Sequence, residues 1–75
     1  MEEIRKILVD IRPEFDFKGE KDFIESGYLD SFDLVLLTSQ LEENFNIKIK
    51  GSDIIPENFN NLENIYKLIK NSEKK

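Results

Sequence analysis

The sequence predicts an all-α fold: a small antiparallel bundle of three main helices plus one short helix, with a long loop between helices one and two. Three observations lead there. Apolar residues recur at helical spacing in three separate stretches, 4–11, 34–45 and 62–69. Strand-like alternation occurs in one place, 46–50, and a lone strand has nothing to complete its ladder. With 75 residues the chain has room for a single domain, 1–75, built on one core. A chain of this size buries only about 60% of its unfolded surface, so modest stability is expected.

Helix one is expected from Glu2 to about Ile11. Ile4, Ile7, Leu8 and Ile11 form its apolar stripe, and Glu2 and Glu3 suit the positive end of the macrodipole. Pro13 stops it by pushing Arg12 out of helical geometry. The connection from Pro13 to Leu29 is long and needs anchors. Phe15, Phe17, Phe23, Ile24 and Leu29 can supply them. Residues 22–27 suit one helical turn, with Gly27 as a left-handed stop. The acids of Asp16-Phe17-Lys18-Gly19-Glu20-Lys21-Asp22 lack the alternating ligands of a calcium loop.

Helix two is expected from about Ser31 to Phe45. Asp30 or Ser31 can cap it, and Asp33 places a negative charge in its first turn. A serine there sits beside unpaired N–H donors, a good seat for a phosphodiester. Leu34, Leu37, Thr38, Leu41 and Phe45 share the core face. Phe32, Val35 and Leu36 fall off that face, with Ser39 beside them. A helix that is apolar outside its core stripe meets a partner when the chain is too small to bury it all round. The second face is therefore expected to be an interaction surface centred near Ser31.

Beyond helix two, 46–51 is expected to be an extended link with Ile47 and Ile49 facing inward. Residues 52–59 hold the short helix, with Pro56 at a first helical position and Ile54, Ile55 and Phe59 as core candidates. Asn60 or Asn61 caps the last helix, and Asn60 with Glu63 fits a capping box. Leu62, Ile65, Tyr66 and Ile69 share its inner face, flanked by Leu68, and 71–75 are expected to fray.

Composition narrows the function. The chain holds no cysteine and no histidine. That removes disulfides, thiolate and imidazole metal sites and the usual nucleophile–base pairs, so an enzyme is not expected. The formal charge is −5, unevenly placed: 22–47 holds six acids and no Lys or Arg, while the remaining residues hold 11 basic and 10 acidic groups. An acidic pole around helix two argues against nucleic acid and would steer basic partners. No secretory signal or membrane span is apparent, so a cytoplasmic monomer is expected.

Gly27-Tyr28-Leu29-Asp30-Ser31-Phe32-Asp33, with Leu41-Glu42-Glu43-Asn44-Phe45-Asn46-Ile47-Lys48-Ile49 downstream, resembles the acyl carrier proteins. So does Pro56-Glu57-Asn58-Phe59-Asn60-Asn61-Leu62-Glu63-Asn64-Ile65 before the final helix, and the likeness runs from Ile4 to Ile69. The resemblance implies that Ser31 carries 4′-phosphopantetheine, attached from coenzyme A by a phosphopantetheinyl transferase, with Asp30 and Phe32 beside it. The absent cysteine then fits, because the cofactor supplies the sulfur. Its thiol would hold acyl or aminoacyl groups for a loading ligase and downstream synthases or transferases. In this family helix two is the partner-recognition helix, which implies Asp33, Val35, Leu36, Glu42 and Glu43 as recognition residues. Phe32 in place of the usual Leu, and Leu36 where fatty-acid carriers often have an acid, bring the chain closer to stand-alone specialised carriers. D-alanyl carriers of teichoic acid alanylation are among these. A fatty-acyl, polyketide or D-alanyl cargo stays open at this point, as does a non-carrier interaction module on the same bundle.

Overall fold

A computed structural model describes residues 2–18 and 22–73. Residues 19–21, in the stretch read above as no calcium loop, lie outside the described residues, as do Lys74 and Lys75 of the tail. The described residues form three α-helices: α1 (Glu2–Ile11), α2 (Ser31–Phe45) and α3 (Leu62–Glu73). Two 3-10 turns, Gly51–Asp53 and Pro56–Asn58, lie between α2 and α3, and there is no strand among the described residues. Helix α1 packs on both α2 and α3.

The helical stripes meet in one core. Leu8, Leu37, Leu41, Phe59 and Ile65 are fully buried, joined by Ile4, Ile7, Leu34, Leu68 and Ile69. The link behaves as its alternation predicts: Ile47 and Ile49 are buried, Lys48 and Lys50 exposed. Asn46 ends α2 in the left-handed region, φ 56°, which asparagine tolerates better than most residues. Its N–H and that of Ile47 both donate to the Glu42 carbonyl.

The long first loop is held by aromatic packing. Phe17, Phe23 and Leu29 are buried, and Phe15 and Ile24 are half-buried. Tyr28 stacks on Phe15 with ring centroids 3.9 Å apart, and Phe17 meets Phe23 edge-on at 5.0 Å. The backbone closes the loop: Phe23 N–H donates to the Asn60 carbonyl at 2.7 Å, and Leu29 N–H to Phe23 at 3.0 Å. Gly27 sits at φ +86° and ends the helical turn that begins at Asp22, a conformation that favours glycine.

Four expectations change. The short helix is two separate 3-10 turns. Pro56 forces Ile55 into an extended conformation, φ −129° and ψ 154°, which breaks the segment in the middle and leaves Ile55 40% exposed. The last helix is capped by Asn61, whose Oδ1 accepts from Asn64 N–H at 2.7 Å. Asn60 forms no box with Glu63; its Oδ1 accepts instead from Asn64 Nδ2. The inner face of α3 runs Ile65, Leu68, Ile69 and Ser72, all buried, while Tyr66 is 43% exposed. That continuation keeps 71–73 helical where fraying was expected.

Candidate functional site

Helix α2 begins at Ser31 because Asp30, extended at φ −116° and ψ −178°, caps it. Asp30 Oδ1 accepts from Asp33 N–H at 3.0 Å, and Asp33 Oδ2 accepts in return from Asp30 N–H at 3.1 Å. The first intrahelical bond runs from Leu34 N–H to the Asp30 carbonyl. The N–H groups of Ser31 and Phe32 have no intrahelical acceptor, as at every helix start. Because Asp30 does the capping, the Ser31 hydroxyl is not needed for it. Ser31 is exposed, and its oxygen takes no hydrogen bond among the described residues.

A residue that the sequence reading placed only at the end of α1 completes the arrangement. The Arg12 guanidinium reaches across from helix α1 and touches three carboxylates. Its Nε donates to Asp33 Oδ2 at 2.9 Å, Nη1 to Glu14 at 3.1 Å and Nη2 to Asp30 Oδ2 at 3.5 Å. The Asp33 N–H bond, aided by the Arg12 charge, holds the Asp30 carboxyl below its ordinary value. Glu14 is likewise lowered, first by its own backbone N–H and then by Arg12. Hydrogen bonding to Asp33 and then to Glu14 raises the Arg12 guanidinium. The sequence holds no signal that pairs Arg12 with these acids, because the pairing depends on how α1 crosses the start of α2 and on the burial of Asp33.

Asp33 corrects an expectation. The family resemblance implies a place on the recognition surface, yet Asp33 is only 5% exposed. Its carboxylate is held inside the fold by Asp30 N–H and Arg12, where it completes the cap. Glu42 is half-buried and partly turned inward, its Oε2 accepting from Ile49 N–H at 2.9 Å. The others stand outward. Phe32 is 70% exposed, Val35 58% and Leu36 44%, and Ser39 and Glu43 are exposed. Residues 32, 35, 36, 39 and 43 follow helical spacing, so the structure brings them onto one outer face that starts beside Ser31.

This geometry suits a phosphate ester. A hydroxyl with no hydrogen bond among the described residues stands at the first position of a 15-residue helix, beside first-turn N–H groups without intrahelical acceptors and at the positive end of the macrodipole. Arg12 offsets part of the negative charge of Asp30 and Asp33 that would otherwise oppose an anion. No cluster of His, Cys, Asp or Glu suited to a metal ion occurs among the described residues, and no described helix is long and apolar enough to cross a membrane.

Comparison with curated proteins and with solved structures finds no match. A family model described as phosphopantetheine attachment site matches residues 2–69, spanning α1, the capped start of α2 and most of α3. The chain belongs to this family, the phosphopantetheine-binding acyl carrier proteins, whose members carry the group covalently.

Proposed function

We propose that Ser31 is the attachment serine and that residues 1–75 act as one carrier domain in the cytoplasm. One observation carries the assignment. Asp30 supplies the cap and leaves the exposed Ser31 oxygen unengaged at the helix start. On a transferase, the Ser31 oxygen bonds to the β-phosphorus of coenzyme A as the phosphoanhydride P–O bond breaks. 3′,5′-ADP leaves and the hydroxyl proton passes to the transferase. The chain is the substrate of that reaction and not its catalyst. When bound, the group supplies a thiol that holds acyl or aminoacyl cargo as a thioester.

The chain's own residues then do three things. Asp30 and Asp33 fix the start of α2. Phe32, Val35 and Leu36 offer an apolar patch beside the attachment point, and Glu43 with the outward part of Glu42 meets basic surfaces of partners. Those partners are the transferase, an acyl- or aminoacyl-loading ligase, and synthases or transferases of fatty-acid, polyketide or related synthesis.

Incubation with coenzyme A and a broad-range transferase is expected to add one phosphopantetheinyl group, read by intact mass, and Ser31→Ala to add none. An unmodified wild type, beside a control carrier that is modified, overturns the assignment. It would favour a non-carrier interaction module, in which Ser31→Ala keeps every partner. A D-alanyl carrier is the second reading, favoured by exposed Leu36 and Phe32 where fatty-acid carriers differ. Loading by a D-alanine ligase and not by fatty-acyl ligases would support it.

A further inference from the structure

The cation under the cap is not part of the helix it serves. Arg12 lies at the end of α1, 18 residues before Asp30 and 21 before Asp33, across the loop that includes the aromatic cluster. Each of its three terminal nitrogens has a different carboxylate. The contact with Asp33 matters most. That carboxylate is buried, and besides Arg12 the one hydrogen bond it accepts among the described residues comes from the Asp30 N–H. A buried carboxylate deprived of its cation loses the partner that offsets its desolvation and swings toward water. That movement weakens the acceptor that holds Asp30 N–H, and Asp30 is the residue that leads into Ser31.

We propose that Arg12 is a positioning residue for modification of Ser31: it locks the Asp30–Asp33 box from α1 and so holds the serine oxygen at one place for the transferase. Arg12 never touches the reacting atoms. The proposal rests on Ser31 being the attachment serine and extends that reading to a residue outside α2. It also separates two effects that point in opposite directions. Arg12 shields acids that attract a basic transferase, so its loss strengthens docking. Its loss also frees the cap, so it slows transfer once docked, because small misplacements of a reacting atom are costly.

The test uses full-length wild type, Arg12→Gln and Arg12→Lys, with carrier concentration varied at saturating coenzyme A. Arg12→Gln is expected to lower kcat about tenfold with KM unchanged or lower. Arg12→Lys restores the charge without the planar fork and is expected to fall between. A kcat within twofold of wild type, or a loss confined to KM, overturns the proposal. Amide hydrogen exchange needs no transferase and keeps the proposal separate from the Ser31 assignment. In Arg12→Gln the Asp30 and Asp33 amides are expected to exchange at least several-fold faster, while Leu37 and Leu41 amides do not. Unchanged exchange at Asp30 and Asp33 sinks the proposal, even if Ser31 is modified. If Arg12→Gln does not fold, the same two readouts on Arg12→Lys decide.

Discussion

The two faces of α2 use the same kinds of side chain and meet opposite fates. Leu34, Leu37 and Leu41 look inward and are at most 4% exposed; Phe32, Val35 and Leu36 look outward and are 44–70% exposed. Composition does not separate them. Position on the helix does, because residues three or four apart share a side and residues two apart, such as 32 and 34 or 35 and 37, fall on opposite ones. The inner face holds the bundle together, and the outer face leaves apolar surface in water at the end where Ser31 stands.

The largest break of this comparison is expected from truncating the inner face. Leu37 is fully buried, so Leu37→Ala is expected to cost about 2–5 kcal/mol of unfolding free energy. Val35→Ala, two residues earlier, is expected to stay within about 0.5 kcal/mol. Denaturant melts of the two variants check this, and similar losses would mean that the outer face is also part of the core. A middle-sized effect is expected at Gly27, which sets the path into the cap. A Cβ there meets nothing within 4 Å, so the strain comes from φ +86° alone. Gly27→Ala is expected to destabilise by about 1 kcal/mol. An unchanged melt would show that the backbone relaxes freely at this turn.

The outer face itself should barely move stability while moving partners. Val35→Gln and Leu36→Gln are expected to leave the melting temperature nearly unchanged. They should lower the rate of loading by a cognate ligase several-fold, chiefly through KM, since exposed apolar groups at interface centres carry binding energy. Loading kinetics with holo-protein check this. An undiminished rate for both variants removes Val35 and Leu36 from the recognition surface and leaves Phe32 and Glu43 to define it.

Much of this was legible in the sequence because the periodicities are clean. The inward Ile47 and Ile49 and the exposed patch beside Ser31 follow from spacing; the limits of α1 and α2 follow from spacing together with Pro13 and the Asp30–Ser31 cap, and the aromatic anchors from the length of the first loop. The misreadings share one cause: local rules compete, and tertiary geometry chooses. Asn60 and Asn61 both satisfy a capping pattern, but the Asn60 carbonyl is taken by Phe23, and Asn61 caps. Pro56 suits a helix start, yet by the same geometry it straightens Ile55 and splits the short helix. Tyr66 shares a stripe with Ile65 and Ile69, but Leu68 and Ser72 take the inner side. Asp33 reads as a surface acid because no sequence rule connects it to Arg12. Long-range ion pairs are set by how helices cross, and one sequence carries little trace of that.

The smallest expected effect is a pH dependence that belongs to the start of α2 and not to the core. Asp30 and Glu14 both have folded values below their unfolded ones, through backbone N–H bonds first and Arg12 second. A depressed carboxylate contributes stability that is fully present above its unfolded value, about pH 4, and is lost as pH falls through the folded value. The melting temperature should therefore fall more steeply for wild type than for Asp30→Asn once pH drops below about 4. Both side chains are exposed, so salt reduces the difference. Protonation also changes the overall repulsion: it first relieves the formal charge of −5 and then, below the isoelectric point near 4.7, builds up positive charge, a change shared by both proteins. The informative quantity is thus the gap between wild type and Asp30→Asn, which cancels that shared contribution. The gap should be widest near neutral pH and close in acid. A gap that stays constant would mean that the Asp30 charge contributes nothing, and that its cap works through an oxygen that an amide supplies equally well.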